Sequence, residues 1–187
     1  DQNNLTTAFS AGNYYIKELI LSKNNATAQL APGAYYIEKL TMDNNTFITV
    51  SPSGPVRIFI MTSFQGGNEI GINANGNVQN MIIYLYSGVE MQIGNGNNGT
   101  QQTLTFSGTI YSPFSNTTIQ MGNNNNVQGA ILSAGSVTVG NNTTFDYSAT
   151  VQNAVIDSLG CSVPPVTYCT TFQYELYHPL SSAHKLQ

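Results

Sequence analysis

Side chains that could perform acid–base or nucleophilic chemistry are few in this sequence of 187 residues. It contains nine Asp and Glu in all, and both histidines, His178 and His184, lie near its carboxyl end. A hydrolytic triad requires a His next to a Ser or Cys nucleophile, and a glycosidase requires two carboxylates facing one bond. No Gly-x-Ser-x-Gly sequence is present. We therefore predict no catalytic residues and a protein that is not an enzyme.

The sequence also lacks the clustered ligands of a metal site. Calcium sites need several negatively charged oxygen ligands, whereas Asp43 is followed only by two Asn, and we interpret this segment as a turn. Cys161 and Cys169, the only cysteines, have neither His nor further Cys between them. Their spacing suits a local disulfide in an oxidising compartment better than zinc, and the alternative is two buried thiols. We predict no metal and no cofactor.

Charge is scarce, and its distribution argues against some partners. Only 7% of residues are charged, and the five basic residues, of which Arg57 is the only arginine, are scattered. Nucleic acid binding requires clustered positive charge, so we expect no nucleic acid partner. No run of 18 or more apolar residues occurs, which predicts a protein that is not transmembrane. The 23 Asn, the scarce charge and the paired cysteines predict an extracellular or cell-surface location.

Tyrosine is abundant and suited to forming contacts, with eleven copies against no Trp. Tyr14 with Tyr15 and Tyr35 with Tyr36 form two pairs. Because successive side chains of a strand point to opposite faces, one ring of each pair must point outward if the pairs lie on strands. Exposed Tyr makes an adaptable, partly apolar contact surface. We therefore take Tyr14, Tyr15, Tyr35 and Tyr36 as candidate contact residues, of which the outward ring of each pair would supply a surface for sugars or other subunits. The alternative is that they only cover the flank of the fold.

The segments that carry these residues repeat along the chain. When Gly12 is aligned with Gly33, segment 12–19 matches segment 33–40 at the Gly, both Tyr, the Ile and the Leu, and the same offset relates Gly108 to Gly129. Stretches rich in Val, Ile, Thr, Tyr and Phe, which favour strands, alternate with corners rich in Asn, which tolerates a left-handed backbone. We predict strands at 35–40, 47–50, 56–61, 81–86, 90–93, 103–106, 118–121 and 136–139.

Short strands joined by compact corners, repeating at about 20–21 residues, predict an all-β fold: a right-handed parallel β-helix, or β-solenoid. Apolar side chains would stack inside it, and Asn side chains at equivalent corners could form ladders along the axis. Glu18 and Glu38 would lie about one coil apart, but Lys17 and Lys39 beside them indicate alternating surface charges. The alternative fold is an antiparallel β-sandwich, which also has many short strands.

We place the β-solenoid domain at residues 1–160. Residues 161–187 depart from the repeat and contain both Cys and both His, so we predict a C-terminal cap, linker or arm there, with a local disulfide. A solenoid leaves an open strand edge at each end. We expect irregular caps, formed by residues 1–10 and by the segment from Cys161, to cover these edges.

A series of short apolar phrases resembles a known family. In order, the phrases are LAPGAYY from Leu30, GPVRIFI from Gly54, MIIYLY from Met81, GTIYSP from Gly108 and GAILSA from Gly129. The series is similar to the solenoid region of bacterial surface proteins related to the mannose-sensitive haemagglutinin pilus biogenesis protein MshQ. The resemblance implies a polymer-forming type of β-solenoid and a role in pilus function, attachment or biofilm.

Together these features predict a non-catalytic structural or adhesive protein of the bacterial surface, acting as a rigid spacer, a pilus-associated adhesin or a filament subunit. The expected partners are copies of the chain itself, other pilus or surface subunits, or a glycan. The alternative function is that of a carbohydrate-active β-helix enzyme or a carbohydrate-binding module.

Overall fold

The computed structural model describes residues 5–22, 24–94 and 104–147. These residues form one β-sheet system with a single 3-10 turn at Val78–Asn80 and no α-helix. The strands are β1 (Thr6–Phe9), β2 (Gly12–Leu21), β3 (Thr27–Leu30), β4 (Gly33–Met42), β5 (Phe47–Val50), β6 (Val56–Gly66), β7 (Ile70–Ile72), β8 (Met81–Leu85), β9 (Glu90–Ile93), β10 (Leu104–Ser112), β11 (Thr118–Met121), β12 (Asn126–Ser133), β13 (Ser136–Val139) and β14 (Thr144–Asp146).

The chain winds as a β-solenoid of about six turns, in which each coil hydrogen-bonds to the next. Every strand pairing in the described residues is parallel, which excludes the antiparallel sandwich. The pairings form three faces. The first contains β1, β3, β5, β7, β14 and the opening halves of β10 and β12; the second contains segments 12–16, 33–37, 56–60, 108–112 and 129–133 with β8; the third contains segments 18–21, 39–42 and 63–66 with β9, β11 and β13.

The coil length varies along the axis. Gly12 pairs with Gly33 and Gly108 with Gly129, so the offset found in the sequence holds near both ends of the described region. In the middle, Gly33 pairs with Val56 and Val56 with Met81, so these coils are longer than the sequence repeat. The strands keep their positions in the coil, so the corners absorb the additional length.

The predicted apolar interior runs continuously along the solenoid. Alternation along β4 places Tyr35, Ile37 and Leu40 in it with no exposed surface, and the coils above contribute equivalent side chains such as Ile58 and Phe64. Burying one such side chain fully contributes about 1.5–3 kcal/mol. Because every coil adds several, packing between coils stabilises a fold whose individual coils are too short to fold alone.

Asn residues form the corners, as the sequence predicts. Asn25, Asn45, Asn124 and Asn142 have φ between 56° and 59°, the left-handed conformation that a sharp corner needs.

Asn side chains also link one corner to the next. The Oδ1 atom of Asn44 accepts a hydrogen bond from the backbone N–H of Asn68 at 2.7 Å, and the Oδ1 atom of Asn123 accepts one from Asn141 at 2.8 Å. The segment that begins at Asp43 is a turn, since the hydroxyl of Thr46 donates to the Asp43 carbonyl oxygen at 2.8 Å. These amides therefore have a structural role.

One end of the solenoid differs from the expectation. The prediction that residues 1–10 cover it is wrong for the part that the structure describes, because Thr6–Phe9 forms β1 and pairs in register with β3. This strand joins the ladder because its alternation matches that of β3. Cys161, Cys169 and the predicted C-terminal segment 161–187 lie outside the described residues.

Candidate functional site

A row of aromatic side chains runs along the outside of the second face, one ring per coil. Its members occupy equivalent positions, because their strands pair in register. The first four rings stack face to face with centroids 4.8, 4.7 and 4.7 Å apart, and the last two meet edge to face at 5.8 Å. We call Tyr15, Tyr36, Phe59, Tyr84 and Tyr111 the aromatic row.

The parallel strands set the spacing of this row. Neighbouring strands lie about 4.7–4.9 Å apart, which matches the distance between the stacked ring centroids. The rings point outward because of the strand alternation: Ile58 and Ile60, on either side of Phe59, are fully buried in the interior. The spacing of the strands and the alternation of their side chains therefore bring the outward rings into stacking contact.

The middle of the row is buried although it lies outside the main core. Phe59 is 7% exposed and Tyr84 is 8% exposed, and with Ile82 they form a second, smaller apolar cluster. Tyr36 and Tyr86 pack against this cluster from its margins. Each central ring is covered by the ring before it and the ring after it, so mainly its edge faces solvent.

Stacking determines which ring surfaces a ligand could reach. Tyr15 is 77% exposed, because no described coil precedes it. The two faces of Tyr36 are covered by Tyr15 and Phe59. Tyr36 therefore offers an edge and a hydroxyl to a partner, and it does not offer the open face on which a sugar ring would stack.

The other two tyrosines of the predicted surface point inward. Tyr35 has no exposed surface, so its inclusion in a contact surface is wrong: alternation along β4 directs it into the core. Tyr14 is half-buried and stacks on Tyr35 at 5.1 Å. Their hydroxyls donate to the carbonyl oxygens of Ser10 at 2.9 Å and Ala31 at 2.8 Å. This pair serves the fold, and only Tyr15 and Tyr36 face outward.

Burial disfavours ionisation of two phenols beside or within the aromatic row, those of Tyr86 and Tyr111. It raises the pKa of Tyr86 above the usual 10.0, and the nearby phenols of Tyr36 and Tyr15 raise it further. Burial likewise raises the pKa of Tyr111. The hydroxyls of Tyr86 and Tyr111 are therefore protonated, and able to donate hydrogen bonds, at physiological pH.

A cationic side chain accompanies the row on the same face. Arg57 lies two residues before Phe59 and pairs in register with Ala34 and Ile82. Its Nε atom is buried without a hydrogen-bond partner among the described residues. The outer surface of the second face, comprising the aromatic row, Arg57, Ile82 and Tyr86, is hereafter the aromatic wall.

The third face presents a different surface. From the second coil onward, one of its outward rows in the described residues consists of amides and hydroxyls, and the other also contains Lys39 and Glu90; neither contains an aromatic residue. The first of these rows contains Thr41, Gln65, Gln92, Gln120 and Thr138. The solenoid thus carries aromatic residues on one side and glutamines on another.

The acidic residues considered for catalysis do not form a pair. Glu18 lies in register with Lys39, so opposite charges are neighbours on adjacent coils. This arrangement agrees with alternating surface charges. Within residues 5–22, 24–94 and 104–147, no group of three His, Cys, Asp or Glu is placed to hold a metal ion.

Sequence analysis missed three members of the aromatic row: Phe59, Tyr84 and Tyr111. The signal was present, because each follows an inward Ile in its phrase, just as Tyr36 follows the inward Tyr35. Aligning the phrases by their position in the coil, and not by offset, would have revealed an aromatic residue at one outward position in successive coils.

Among the described residues, no helix combines the length and apolarity that crossing a bilayer requires.

Comparison with known proteins identifies a family whose role is not assigned. No curated protein and no solved structure matches the chain significantly. Residues 1–154 match a family described as a domain of unknown function, DUF7305. Because this match covers most of the sequence, the chain belongs to the DUF7305 family.

Proposed function

We propose that this protein is a non-catalytic structural and adhesive component of the extracellular surface, which makes its contacts through the aromatic wall. The solenoid supplies a stiff support, because each described coil is hydrogen-bonded to its neighbours along three faces. The wall supplies the contact. A pilus-associated role, attachment or biofilm formation is the setting that the sequence phrases favour.

The observation that carries this proposal is the asymmetry between the faces. Stacked rings and the side chain of Arg57 occupy the second face, whereas glutamines occupy an outward row of the third face. A solenoid that needed only to be soluble could carry amides on every side. Tyrosine edges and hydroxyls combine apolar area with hydrogen bonding and lose little side-chain entropy on binding.

The wall is suited to a protein or envelope surface more than to a single sugar. Sugar rings bind aromatic faces, and among the four rings that stack in parallel such a face is open only at Tyr15. A broad partner can instead lie across several ring edges and reach the guanidinium of Arg57. The partner surface should therefore be partly apolar, with acidic groups that can pair with this arginine.

An attachment assay tests the proposal. A strain of the source organism that lacks the chain is complemented with wild type, with Tyr111→Ser on the aromatic wall, or with Gln120→Ser on the third face. Both substitutions lie in the same coil. We expect wild type and Gln120→Ser to restore adherence to polystyrene, and Tyr111→Ser to lower it several-fold at equal protein level.

Location provides an independent check of the same proposal. Antibody raised against the purified chain should label intact cells, as seen by immunogold electron microscopy. Label confined to the cytoplasm, or adherence that is unchanged by deletion of the chain, would contradict the proposed function.

A further inference from the structure

The first coil, which contains β1 and β2, leaves apolar side chains open at the end of the solenoid. Four of its interior side chains are only half-buried, whereas their register partners in the second coil are 0–1% exposed. Its outward side carries two large apolar side chains, Tyr15 at 77% exposed and Ile20 at 51% exposed. No described strand lies beyond this coil. The half-buried interior side chains are Phe9, Tyr14, Ile16 and Leu19.

The strand β2 also has a free backbone edge. Among the described strands it pairs with β4 alone. The N–H of Gly12 donates to the second coil at 3.1 Å, and the carbonyl oxygen of Leu21 accepts from it at 2.8 Å. Because successive residues of a strand direct their backbone groups to opposite sides, those of Tyr15 and Ile20 point away from the second coil. These groups are available to a further strand.

The in-and-out pattern of β2 is symmetric about its centre. The strand passes from the second face to the third between Ile16 and Glu18, and the pattern reads the same in both directions from a point between Lys17 and Glu18. Two exposed charges of opposite sign lie at this point, and interior and outward apolar side chains alternate on both sides of it. An antiparallel copy of the strand would therefore match it, position by position. From the centre, the matching positions are Lys17 with Glu18, Ile16 with Leu19, Tyr15 with Ile20 and Tyr14 with Leu21.

We propose that two copies of this chain join head to head through their first coils, with the two β2 strands antiparallel and centred between Lys17 and Glu18. The end of the solenoid has three sides, and a two-fold axis through this corner and the middle of the first face lays it upon itself. The second face of each copy then continues into the third face of the other. The inference goes beyond the proposed function, because it uses the end of the solenoid and not the aromatic wall.

This contact uses the groups that the first coil leaves open. Tyr15 of one copy lies opposite Ile20 of the other, and residues so placed in an antiparallel pair can exchange both N–H···O bonds. Their two exposed side chains cover each other on the outside. Inside, Ile16 lies beside Leu19 of the other copy, which closes the apolar interior as the second coil does on the opposite side of the first.

Charge fixes the register of the two strands. Lys17 of each copy lies opposite Glu18 of the other, so the pairing supplies two equivalent ion pairs. Glu18 is already in register with Lys39 of its own second coil, and the contact places it between two lysines. Because both copies use the same surface, the assembly closes at a dimer. The dimer carries two aromatic walls, so a partner that spans both would be held more tightly than by one.

Charge reversal in the full chain tests this pairing. Lys17→Glu and Glu18→Lys each replace both ion pairs with like charges, and we expect each to weaken the dimer about tenfold. The double variant Lys17→Glu/Glu18→Lys restores opposite charges at both places and should dimerise like wild type. An equimolar mixture of the two single variants should also form dimers, because the charges of one complement those of the other. Both side chains are exposed, so the variants should fold, which circular dichroism checks.

Sedimentation equilibrium through the micromolar range is the measurement, since one coil end is a small interface. Wild type should shift from the monomer mass of 20.1 kDa towards twice that mass as its concentration rises. Glu90→Lys is the matched control: it makes the same charge change in the outward row of Glu18, three coils further from the end. This control should dimerise as wild type does.

Several outcomes overturn the inference. A wild type that remains monomeric through the micromolar range contradicts the contact. Single variants that dimerise as strongly as wild type, or a double variant that stays as weak as they are expected to be, contradict the antiparallel register. A Glu90→Lys variant as weak as Glu18→Lys places the contact elsewhere. A monomeric wild type would leave the proposed function open, because attachment through the aromatic wall does not require a second copy.

Discussion

Single residues decide how closely the coils approach. Glycine positions on the second face lie against a carbonyl oxygen of the preceding coil, as Gly33 and Gly129 show. Their φ angles, +154° and +127°, belong to a region that other residues rarely adopt. Backbone contact and backbone conformation therefore both require glycine there, and the two effects can be separated experimentally.

Gly33→Ala and Gly12→Ala form a matched pair for this purpose. Both place a methyl group at a similar φ, which costs about 1–3 kcal/mol. Only at Gly33 does the methyl also overlap the neighbouring coil, which adds about 1–3 kcal/mol of overpacking. Urea unfolding at low protein concentration should therefore show the larger loss for Gly33→Ala. Equal losses would contradict the close approach of the coils.

Buried phenols predict a loss of stability in alkali. Burial raises the pKa of Tyr35 above 10.0, and the phenol of Tyr14 adds to the shift. In the unfolded chain the same phenol ionises at the lower, ordinary pKa. As pH rises past 10.0, the unfolded state therefore loses its proton first, and the free energy of unfolding falls.

Tyr35→Phe should reduce this alkaline loss. At neutral pH it should cost about 1 kcal/mol, because the Ala31 carbonyl loses its hydrogen bond. Urea unfolding of the variant and of wild type, at neutral pH and above the ordinary phenol pKa of 10.0, measures both effects. An identical pH dependence for the two proteins would show that Tyr35 does not contribute.

Corners are the elements at which the chain turns from one face of the solenoid to the next. At Asn45 the backbone adopts φ 58°, which glycine adopts freely and alanine does not. Asn45→Gly should therefore leave the free energy of unfolding nearly unchanged, and Asn45→Ala should lower it by about 1 kcal/mol. Chemical denaturation measures the difference. A less stable Asn45→Gly than Asn45→Ala would contradict the left-handed corner.

The aromatic row is a second packed element outside the core. Phe59→Ala removes a ring covered by neighbours on both faces, and it should cost about 3 kcal/mol. Tyr15→Ala removes a ring that is 77% exposed, and we expect a loss below about 1 kcal/mol. Thermal and urea unfolding of the two variants check this order. Similar small losses for both would show that the row is not packed.

The strands, and the side of each strand that points into the interior, were predictable from sequence because period-two alternation and Asn corners are local signals. Phe47–Val50 and Thr118–Met121 occur as predicted. The aromatic row was not predicted as a unit, because it depends on register between coils of unequal length. Val56 and Met81 are paired although they lie further apart in the sequence than Gly12 and Gly33, so a fixed offset loses the alignment in the middle of the chain.

At the scale of the whole molecule, the solenoid places residues from equivalent positions of successive coils in continuous rows on its surface. Inward side chains stabilise the stack, corners turn the chain, and outward positions are free to differ between faces. The second face uses that freedom for stacked rings, whose spacing comes from the strands themselves. The proposed function depends on this arrangement, because a contact surface exists only if residues from different coils lie in one row.

The row itself can be observed directly by nuclear Overhauser contacts between assigned aromatic rings in solution. We predict that the ring protons of Phe59 show contacts to both Tyr36 and Tyr84, whose centroids each lie 4.7 Å away. Contacts from Phe59 to neither ring would contradict the register of the coils, and with it the aromatic wall through which this protein is proposed to act.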